Sequence, residues 1–336
     1  MKTHKKWLLL ASVITVSLML PTITANAAEP SPQTQYDSDL VENLSPNPTD
    51  NTASLHYANG SYQADAGQTQ VSIPQDSSQP VTFTDDSSAA GLAMKATGDD
   101  FTNGTYTENQ TVVHSGTDAS TGVQAIDGGV QQVFYLNNAQ ASHKYTVDYS
   151  SPDLDHMAFS KDKTGNTDGS VTLYKDKAET QILAYVPAPW AKDATGREVS
   201  THYEIQDNSL VQVIQPTRND TYPIVADPTT ISTFFSSWKW IYRSPYWSLS
   251  LVPNGWLRAA GGPTGAMTEI VARQSWNQVY AHEHNNSHWK NKNVNGMFNQ
   301  YECHFHFAFW KSAFNLEPAR PNPGLAKTIA AVCNPR

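Results

Sequence analysis

Short runs of alternating apolar and polar residues recur along the chain from about Ser54 to Pro228. Among these runs are Thr69-Gln70-Val71-Ser72-Ile73, Tyr145-Thr146-Val147-Asp148-Tyr149 and Val171-Thr172-Leu173. A period of two residues is typical of β-strands with one buried face. Turn sequences such as Asp127-Gly128-Gly129 separate the runs, and no helical period persists. The pattern therefore predicts an all-β N-terminal module over residues 54–228, an antiparallel sandwich of about eight to ten strands.

The pattern changes after Thr229, and residues 229–336 predict a small, aromatic-rich α+β domain. Trp247 to Val252 alternates like a strand. Gly265 to Ala281 and Leu325 to Val332 place apolar residues at helical spacing instead. The mixture separates this domain from the all-β module before it.

The segment Tyr301 to Trp310 fits both the two-residue period of a strand and the 3.6-residue period of a helix. As a strand it places Cys303 and its aromatic neighbours on one face, and His304 and His306 on the other. As a helix it groups Cys303 with Phe307 instead. Because aromatic residues favour strands, we predict the strand.

The N-terminal residues have the three parts of a secretory signal. Lysines precede an apolar run from Leu8 to Leu20, and Ala25-Asn26-Ala27 has small residues where a signal peptidase cleaves. We predict a signal peptide over residues 1–27. A flexible leader over residues 28–53 is expected because that segment has few large apolar residues. No second long apolar run follows, so we expect a secreted chain, either extracellular or peripherally associated with a cell surface.

Charge divides the chain at the same place as the pattern. The full sequence has a formal charge of −9, and residues 229–336 contain ten Lys plus Arg against four Glu, a net of +6. The three signal lysines add +3, so residues 28–228 carry −9 − 6 − 3 = −18. We expect the basic domain to bind an anionic polymer, either a cell-wall polymer or a nucleic acid, and the acidic module to mask it within the chain. The alternative is a chance drift of surface charge.

The two cysteines of the chain, Cys303 and Cys333, both lie in the basic domain. Because an exported chain meets an oxidising environment, we predict that they form a disulfide. The alternative is a pair of buried free thiols.

Three residues near these cysteines have the side chains of an acid–base site. His304 follows Cys303 directly, and a ring held beside a crosslink suits general acid or base catalysis. Glu317 and Arg320 lie three residues apart between prolines, where the guanidinium can bind a phosphate or pair with the glutamate. The structural alternatives are a core histidine and a Glu–Arg ion pair.

Other candidates are weaker. The segment His282 to His288 could supply metal ligands if a helix continued through it, or it could be a solvated turn. Gly261 to Gly265 is a flexible turn rather than a phosphate-binding loop, and no nucleophilic serine elbow is present, so no cofactor is predicted.

Aromatic and basic residues interleave at the start of the basic domain, and they could bind sugars or phosphates or form a small core. These residues are Trp238, Trp240, Tyr242, Arg243, Tyr246 and Trp247, followed by Trp256 and Arg258. Trp256 and Arg258 are included as candidate binding residues.

Several motifs of the basic domain together resemble one secreted bacterial family. They are Ser248 to Pro253, the helix around Trp276, Cys303-His304, Asn315 to Pro321, and Cys333-Asn334-Pro335. From Trp247 to the end of the chain, they resemble the C-terminal domain of the DUF2599 family, which has no established reaction. Ala319 departs from the aromatic residue expected at that position. Residues 130–228 resemble a carrier or pro-region of exported Gram-positive proteins, which implies that the activity lies in the C-terminal domain.

We therefore expect an extracellular effector, antibacterial or envelope-directed, whose C-terminal domain acts on an anionic polymer. In the catalytic version it is a phosphodiester hydrolase or another secreted hydrolase that uses His304, Glu317 and Arg320. The alternative is a noncatalytic module that binds a cell wall or cell surface. A third hypothesis is a passive surface protein without a ligand.

Overall fold

The computed structural model describes residues 30–45, 52–85, 88–97, 101–262 and 266–336. The signal peptide predicted over residues 1–27 lies outside these ranges, and secretion therefore remains a prediction. Within the described ranges, no helix combines the length and apolar composition needed to cross a membrane.

The described residues form a mostly β structure with five helices. The helices are α1 Pro32–Leu44, α2 Gly255–Ala260, α3 Ala266–Glu283, α4 Val294–Phe307 and α5 Leu325–Ala330. The strands are β1 His56–Ala58, β2 Ser61–Ala66, β3 Thr69–Pro74, β4 Val81–Asp85, β5 Ser88–Thr97, β6 Thr105–Tyr106, β7 Val112–Ser115, β8 Ala119–Ile126, β9 Gly129–Leu136, β10 Lys144–Ser150, β11 His156–Phe159, β12 Val171–Tyr174, β13 Ile182–Val186, β14 Trp190–Asp193, β15 Ser200–Gln206, β16 Ser209–Gln215, β17 Ile224–Asp227, β18 Thr229–Ile231, β19 Phe235–Arg243, β20 Tyr246–Pro253 and β21 Phe314–Leu316.

The strands build three antiparallel sheets. The first has eight strands in the order β1-β2-β3-β4-β5-β10-β16-β15. The second has ten, in the order β11-β12-β13-β18-β9-β8-β7-β6, with β17 pairing β9 and β14. The third is β19-β20-β21, in which Leu249 of β20 lies opposite Trp240 of β19 and Leu316 of β21.

The β-rich part contains more strands than the eight to ten predicted. Some of the additional strands are only two to four residues long, too short to show a period. Others are buried along their whole length, as β8 and β9 are, so their residues do not alternate. Their inner side chains, such as Val123 and Phe134, share one apolar core with Ile73 and Val147 of the eight-stranded sheet.

The predicted flexible leader contains helix α1, which corrects that expectation. The Ser31 side chain caps the helix by accepting a hydrogen bond from the Thr34 backbone N–H at 3.1 Å. Leu40 and Val41 are buried against Val133 of β9 and its neighbours. The composition of the leader did not reveal the helix because packing on the sheet, rather than local apolar content, stabilises it.

The predicted boundary near Pro228 lies inside the ten-stranded sheet. β17 ends at Asp227 and β18 begins at Thr229, and both residues are 2% exposed. β18 pairs with β9, so the β-rich part extends to Ile231. A protease that needs an extended, exposed segment cannot reach this junction in the folded chain.

The turn between β8 and β9 fastens the C-terminal domain to the sheet. Gly128 has φ +86°, and a Cβ atom there would lie 2.2 Å from the Thr233 carbonyl oxygen. The Gly128 carbonyl accepts the backbone N–H groups of Ser232 and Thr233 at 2.9 and 3.1 Å. The Asn254 side chain donates to the Asp127 carbonyl at 3.1 Å. Glycine is required here both for the backbone conformation and for the close approach.

Apolar side chains of the two parts share one core. Tyr185 of β13 packs on Phe234 and Trp256, with ring centroids 5.9 and 5.7 Å apart. Within the described ranges, the ion pair that joins the parts is Lys163 to Glu269 at 3.1 Å. The cation of this pair, Lys163, belongs to the acidic part, and the anion, Glu269, belongs to the basic part. Masking by charge would instead pair anions of the acidic part with cations of the basic part.

Candidate functional site

Residues 301–307, predicted as a strand, belong to helix α4. Met297, Tyr301 and Phe305 lie one helical turn apart and are fully buried in the core of the C-terminal domain. The sequence of this segment fits both the strand and the helix period, and burial of these residues in one core favours the helix. The helices predicted over Gly265 to Ala281 and Leu325 to Val332 are confirmed by α3 and α5.

The two cysteines form the predicted disulfide, with Cys303 on α4 and Cys333 after α5. Their Cα atoms lie 5.4 Å apart. Both are 1% exposed and pack with Ala308 in a small cluster beside Ile329.

His304 is buried rather than presented to a substrate. It is 2% exposed, and its ring is stacked on Phe314 with centroids 5.3 Å apart and an interplanar angle of 9°. Burial lowers the pKa of His304 to about 4, and the positive charges of Lys311 and Arg243 act in the same direction. The ring is therefore neutral near pH 7 and has no access to a polymer, which removes the basis for His304 as the catalytic residue.

This burial predicts an acid-side effect on stability. Between the ordinary imidazole pKa of 6.5 and about 4, the unfolded chain binds more protons at His304 than the folded chain does, so stability falls as the pH falls. We expect His304→Leu to lose roughly 3 kcal/mol less unfolding free energy than the wild type between pH 7 and pH 4. Urea unfolding of both proteins at the two pH values measures this difference. Equal losses would show that His304 is not kept neutral by burial.

Glu317 and Arg320 form a buried ion pair, as the structural alternative proposed. Arg320 Nε lies 2.6 Å from Glu317 Oε2, and the Ser248 hydroxyl donates to Oε1 at 2.8 Å. The Arg320 guanidinium also donates to the Pro335 carbonyl at 3.2 Å and lies over the Tyr246 ring. Glu317 is 1% exposed. Among the described residues, neither Glu317 nor Arg320 is hydrogen-bonded or ion-paired to His304, so the three are not joined as an acid–base site.

Trp256 and Arg258 also have structural roles. Trp256 is 8% exposed between Tyr185 and Phe234, so neither ring face is open to a ligand. Arg258 donates to the carbonyl oxygens of Phe309, Lys311 and Ser312, which holds the loop after α4. The sequence pattern did not reveal that α2 turns both side chains toward the protein.

Another surface of the domain brings imidazole and indole rings together at the C-terminal end of α3. We call it the aromatic–histidine face, and it consists of Trp238, Trp240, Trp247, His282, Glu283 and His288. The two tryptophans of β19 are two residues apart and point to the same side of the strand. Trp247 of β20 adjoins this side beyond them, next to Tyr242.

His282 and Glu283 form a hydrogen-bonded pair within the aromatic–histidine face. His282 Nδ1 lies 3.0 Å from Glu283 Oε1, and Trp240 Nε1 donates to Oε2 at 2.7 Å. The side chains are 32% and 7% exposed, so the carboxylate is buried while the imidazole reaches the surface. Burial alone raises the pKa of Glu283, but the hydrogen bonds from His282 and Trp240 outweigh it, and the pKa lies below its ordinary value. Glu283 is thus an anion that fixes the orientation of an exposed imidazole.

His288 occupies the other side of the face. Its ring is stacked on Trp247 with centroids 3.8 Å apart and an interplanar angle of 22°, and lies 5.6 Å from the Trp240 ring. Helix α3 ends at Glu283, so His284 and His288 do not share a helical surface. His284 instead stacks on Tyr280. Among the residues that the structure describes, no three His, Cys, Asp or Glu side chains are grouped as a metal site would require.

The surroundings of the face are basic. Of the four glutamates of the domain, Glu283 and Glu317 are buried and paired, and Glu269 bonds Lys163. Lys290 and Lys292, which follow His288 in the chain, are exposed. The accessible charge of the domain is therefore more positive than its sequence count indicates.

The sequence interpretation considered the tryptophans and the histidines of this face separately. The signal that could have joined them was the Trp-x-Trp spacing in a strand next to a His-Glu pair at a helix end. Their meeting depends on how β19 reaches the C-terminal end of α3, which no local pattern specifies.

The fold and the face define a mostly β protein with a basic, disulfide-linked C-terminal domain. Residues 235–336 match the family described as "Protein of unknown function (DUF2599)", which confirms the resemblance found in the motifs. No curated protein matches the chain. A solved structure, the glycoside hydrolase family 81 protein from Clostridium thermocellum, aligns with 60% of this chain at 9% identity and a TM-score of 0.19. The alignment spans 30% of that protein's length.

Proposed function

We propose that this chain is a secreted bacterial effector directed at cell envelopes, and that its aromatic–histidine face binds a wall polymer of sugars or polyols joined by phosphodiesters. An antiparallel sandwich carries the α+β domain that holds this face. The single observation that supports the proposal is the pair of exposed, adjoining rings on a basic domain. Trp247 is 41% exposed and Tyr242 60%, with His288 stacked beside them.

Flat rings next to cations suit this kind of polymer. Sugar and polyol units pack their C–H surfaces on indole and phenol rings, while lysine groups neutralise the phosphates. An exported chain would also meet wall polymers before nucleic acids, and the predicted signal peptide supports this choice.

The contacts between the two parts support a scaffold more than a mask. The acidic part contacts α3 at Glu269 through Lys163 and, further along the helix, at Gln274 through Tyr174. His282 lies eight residues beyond Gln274, about 12 Å away at 1.5 Å per residue. We therefore propose that the β-rich part holds the domain rigidly and leaves the aromatic–histidine face open.

A Trp247→Ala variant tests the binding proposal. Truncating an aromatic residue that anchors a ligand costs about 2 kcal/mol, so we expect a roughly 30-fold weaker Kd for a purified glycerol-phosphate wall polymer. Trp310→Ala is the matched control, because Trp310 is 68% exposed and lies outside the face. Isothermal titration calorimetry on the full chain gives both affinities. Equal losses in the two variants, or none in Trp247→Ala, would contradict this site.

Salt dependence tests the anionic part of the proposal. Binding through cations should weaken steeply between roughly 50 and 200 mM salt, because neutralised phosphates release counterions. Affinity that stays constant over this range would exclude a polyanionic ligand, and tighter binding to single-stranded RNA than to the wall polymer would replace the proposed partner.

A further inference from the structure

We propose that the aromatic–histidine face is also a catalytic site, at which His282 and His288 hydrolyse a phosphodiester bond of the bound polymer and Glu283 positions His282. This inference rests on the proposed function, since it requires the polymer to lie on this face. It moves the hydrolytic chemistry away from His304, Glu317 and Arg320, which are buried or paired with each other.

The orientation of His282 is the first support. The Glu283 carboxylate accepts a hydrogen bond from His282 Nδ1. The neutral imidazole of His282 therefore carries its hydrogen on Nδ1 and has its lone pair on Nε2. A buried carboxylate that holds an exposed imidazole in this tautomer is the arrangement in which histidine acts as a general base. Trp240 Nε1 donates a hydrogen bond to the other carboxylate oxygen of Glu283 at 2.7 Å. This second bond restricts rotation of the Glu283 carboxylate and of the His282 ring bonded to it.

The position of the second imidazole is the other support. His282 lies against Trp238, with ring centroids 4.5 Å apart, and His288 lies 5.6 Å from Trp240. Trp240 also donates to Glu283, the hydrogen-bond partner of His282, at 2.7 Å. Both imidazoles therefore lie around the same Trp240–Glu283 contact on one surface. Trp247 lies face to face with His288 and holds its ring in place.

The reaction is a hydrolysis with water as the nucleophile. Nε2 of neutral His282 accepts a proton from water while the water oxygen forms a bond to phosphorus. The bond between phosphorus and the leaving alcohol oxygen breaks, and protonated His288 gives its proton to that oxygen. The products are a phosphate monoester and an alcohol, and one proton exchanged with solvent returns both imidazoles to their starting states.

The test measures release of monoester ends from a purified glycerol-phosphate polymer by the full chain, as inorganic phosphate freed by an added phosphomonoesterase. We expect His282→Gln to lower kcat about 10²- to 10⁴-fold. Glu283→Gln should lower it by a comparable factor, because an amide N–H in place of the carboxylate oxygen reverses the tautomer of His282. His284→Gln is the matched control, since His284 is bonded to the Tyr280 carbonyl at 2.7 Å and lies outside the face.

Rescue by a conservative variant separates positioning from a purely structural role of Glu283. Glu283→Asp keeps a carboxylate that can accept the hydrogen bond from His282 Nδ1, so it should recover part of the kcat that Glu283→Gln loses. A Glu283→Asp variant as inactive as Glu283→Gln would contradict the positioning role.

The outcomes separate this inference from the proposed function. Binding of the polymer without release of monoester ends would overturn the catalytic site and leave the binding proposal standing. Absence of both would overturn both. Cleavage of single-stranded RNA with the wall polymer left intact would overturn the substrate class, and wild-type turnover in His282→Gln would overturn the assignment of the base.

Discussion

Replacing Arg320 with alanine is expected to lower the free energy of unfolding by about 3–5 kcal/mol. The variant leaves the Glu317 carboxylate, 1% exposed, without the cation that lies 2.6 Å away. The hydroxyl of Ser248 still donates to this carboxylate, but the nearest remaining cation, Arg243, is 3.8 Å away and half exposed. An uncompensated buried charge costs more than the pair itself contributes, so the loss is large even though Arg320 carries out no chemistry.

Arg243→Ala is the matched control for this prediction. Arg243 faces the same carboxylate with a side chain that is 53% exposed, and an exposed ion pair contributes about 0–1 kcal/mol. Urea unfolding of the wild type and both variants, followed by tryptophan fluorescence, gives the two differences. Similar small losses in both variants would show that the Glu317–Arg320 pair is solvated rather than buried.

Removing the disulfide with Cys303→Ala and Cys333→Ala together is expected to lower the unfolding free energy by about 3–4 kcal/mol. The bond joins residues 30 positions apart, and without it the unfolded chain recovers the freedom of that loop. The loss should be concentrated at α5, because Cys303 and Cys333 pack beside Ile329 of that helix. Hydrogen exchange of the α5 amides should therefore accelerate more than exchange in α3.

The wild type in reducing agent is the control for the double variant. Reduction breaks the same bond without removing the sulfur atoms, so the two measurements separate the crosslink from side-chain packing. An unfolding midpoint that changes in neither case would mean that the unfolded chain is already compact around this loop.

Local order along the chain was largely determined by the sequence itself. Alternation identified the strands of the β-rich part, helical spacing identified α3 and α5, and two cysteines in one domain identified their disulfide. The strands and helices depend on neighbours within a few residues, and two cysteines allow only one disulfide pairing. Both kinds of feature can therefore be predicted without knowledge of the fold. The C-terminal motifs likewise identified the family that residues 235–336 match.

The tertiary structure decided what local patterns left open. Residues 301–307 carried both periods, and burial of Met297, Tyr301 and Phe305 in a shared core selected the helix. The leader formed α1 because a sheet distant in sequence covers Leu40 and Val41. Burial also determined the role of His304. Its residue type suggested catalysis, but its ring lies inside the protein, where a substrate cannot reach it. Only the fold brings β19 to the C-terminal end of α3, where Trp240, Glu283 and His282 meet. Contacts between distant segments are set by the whole fold and leave no period in the sequence.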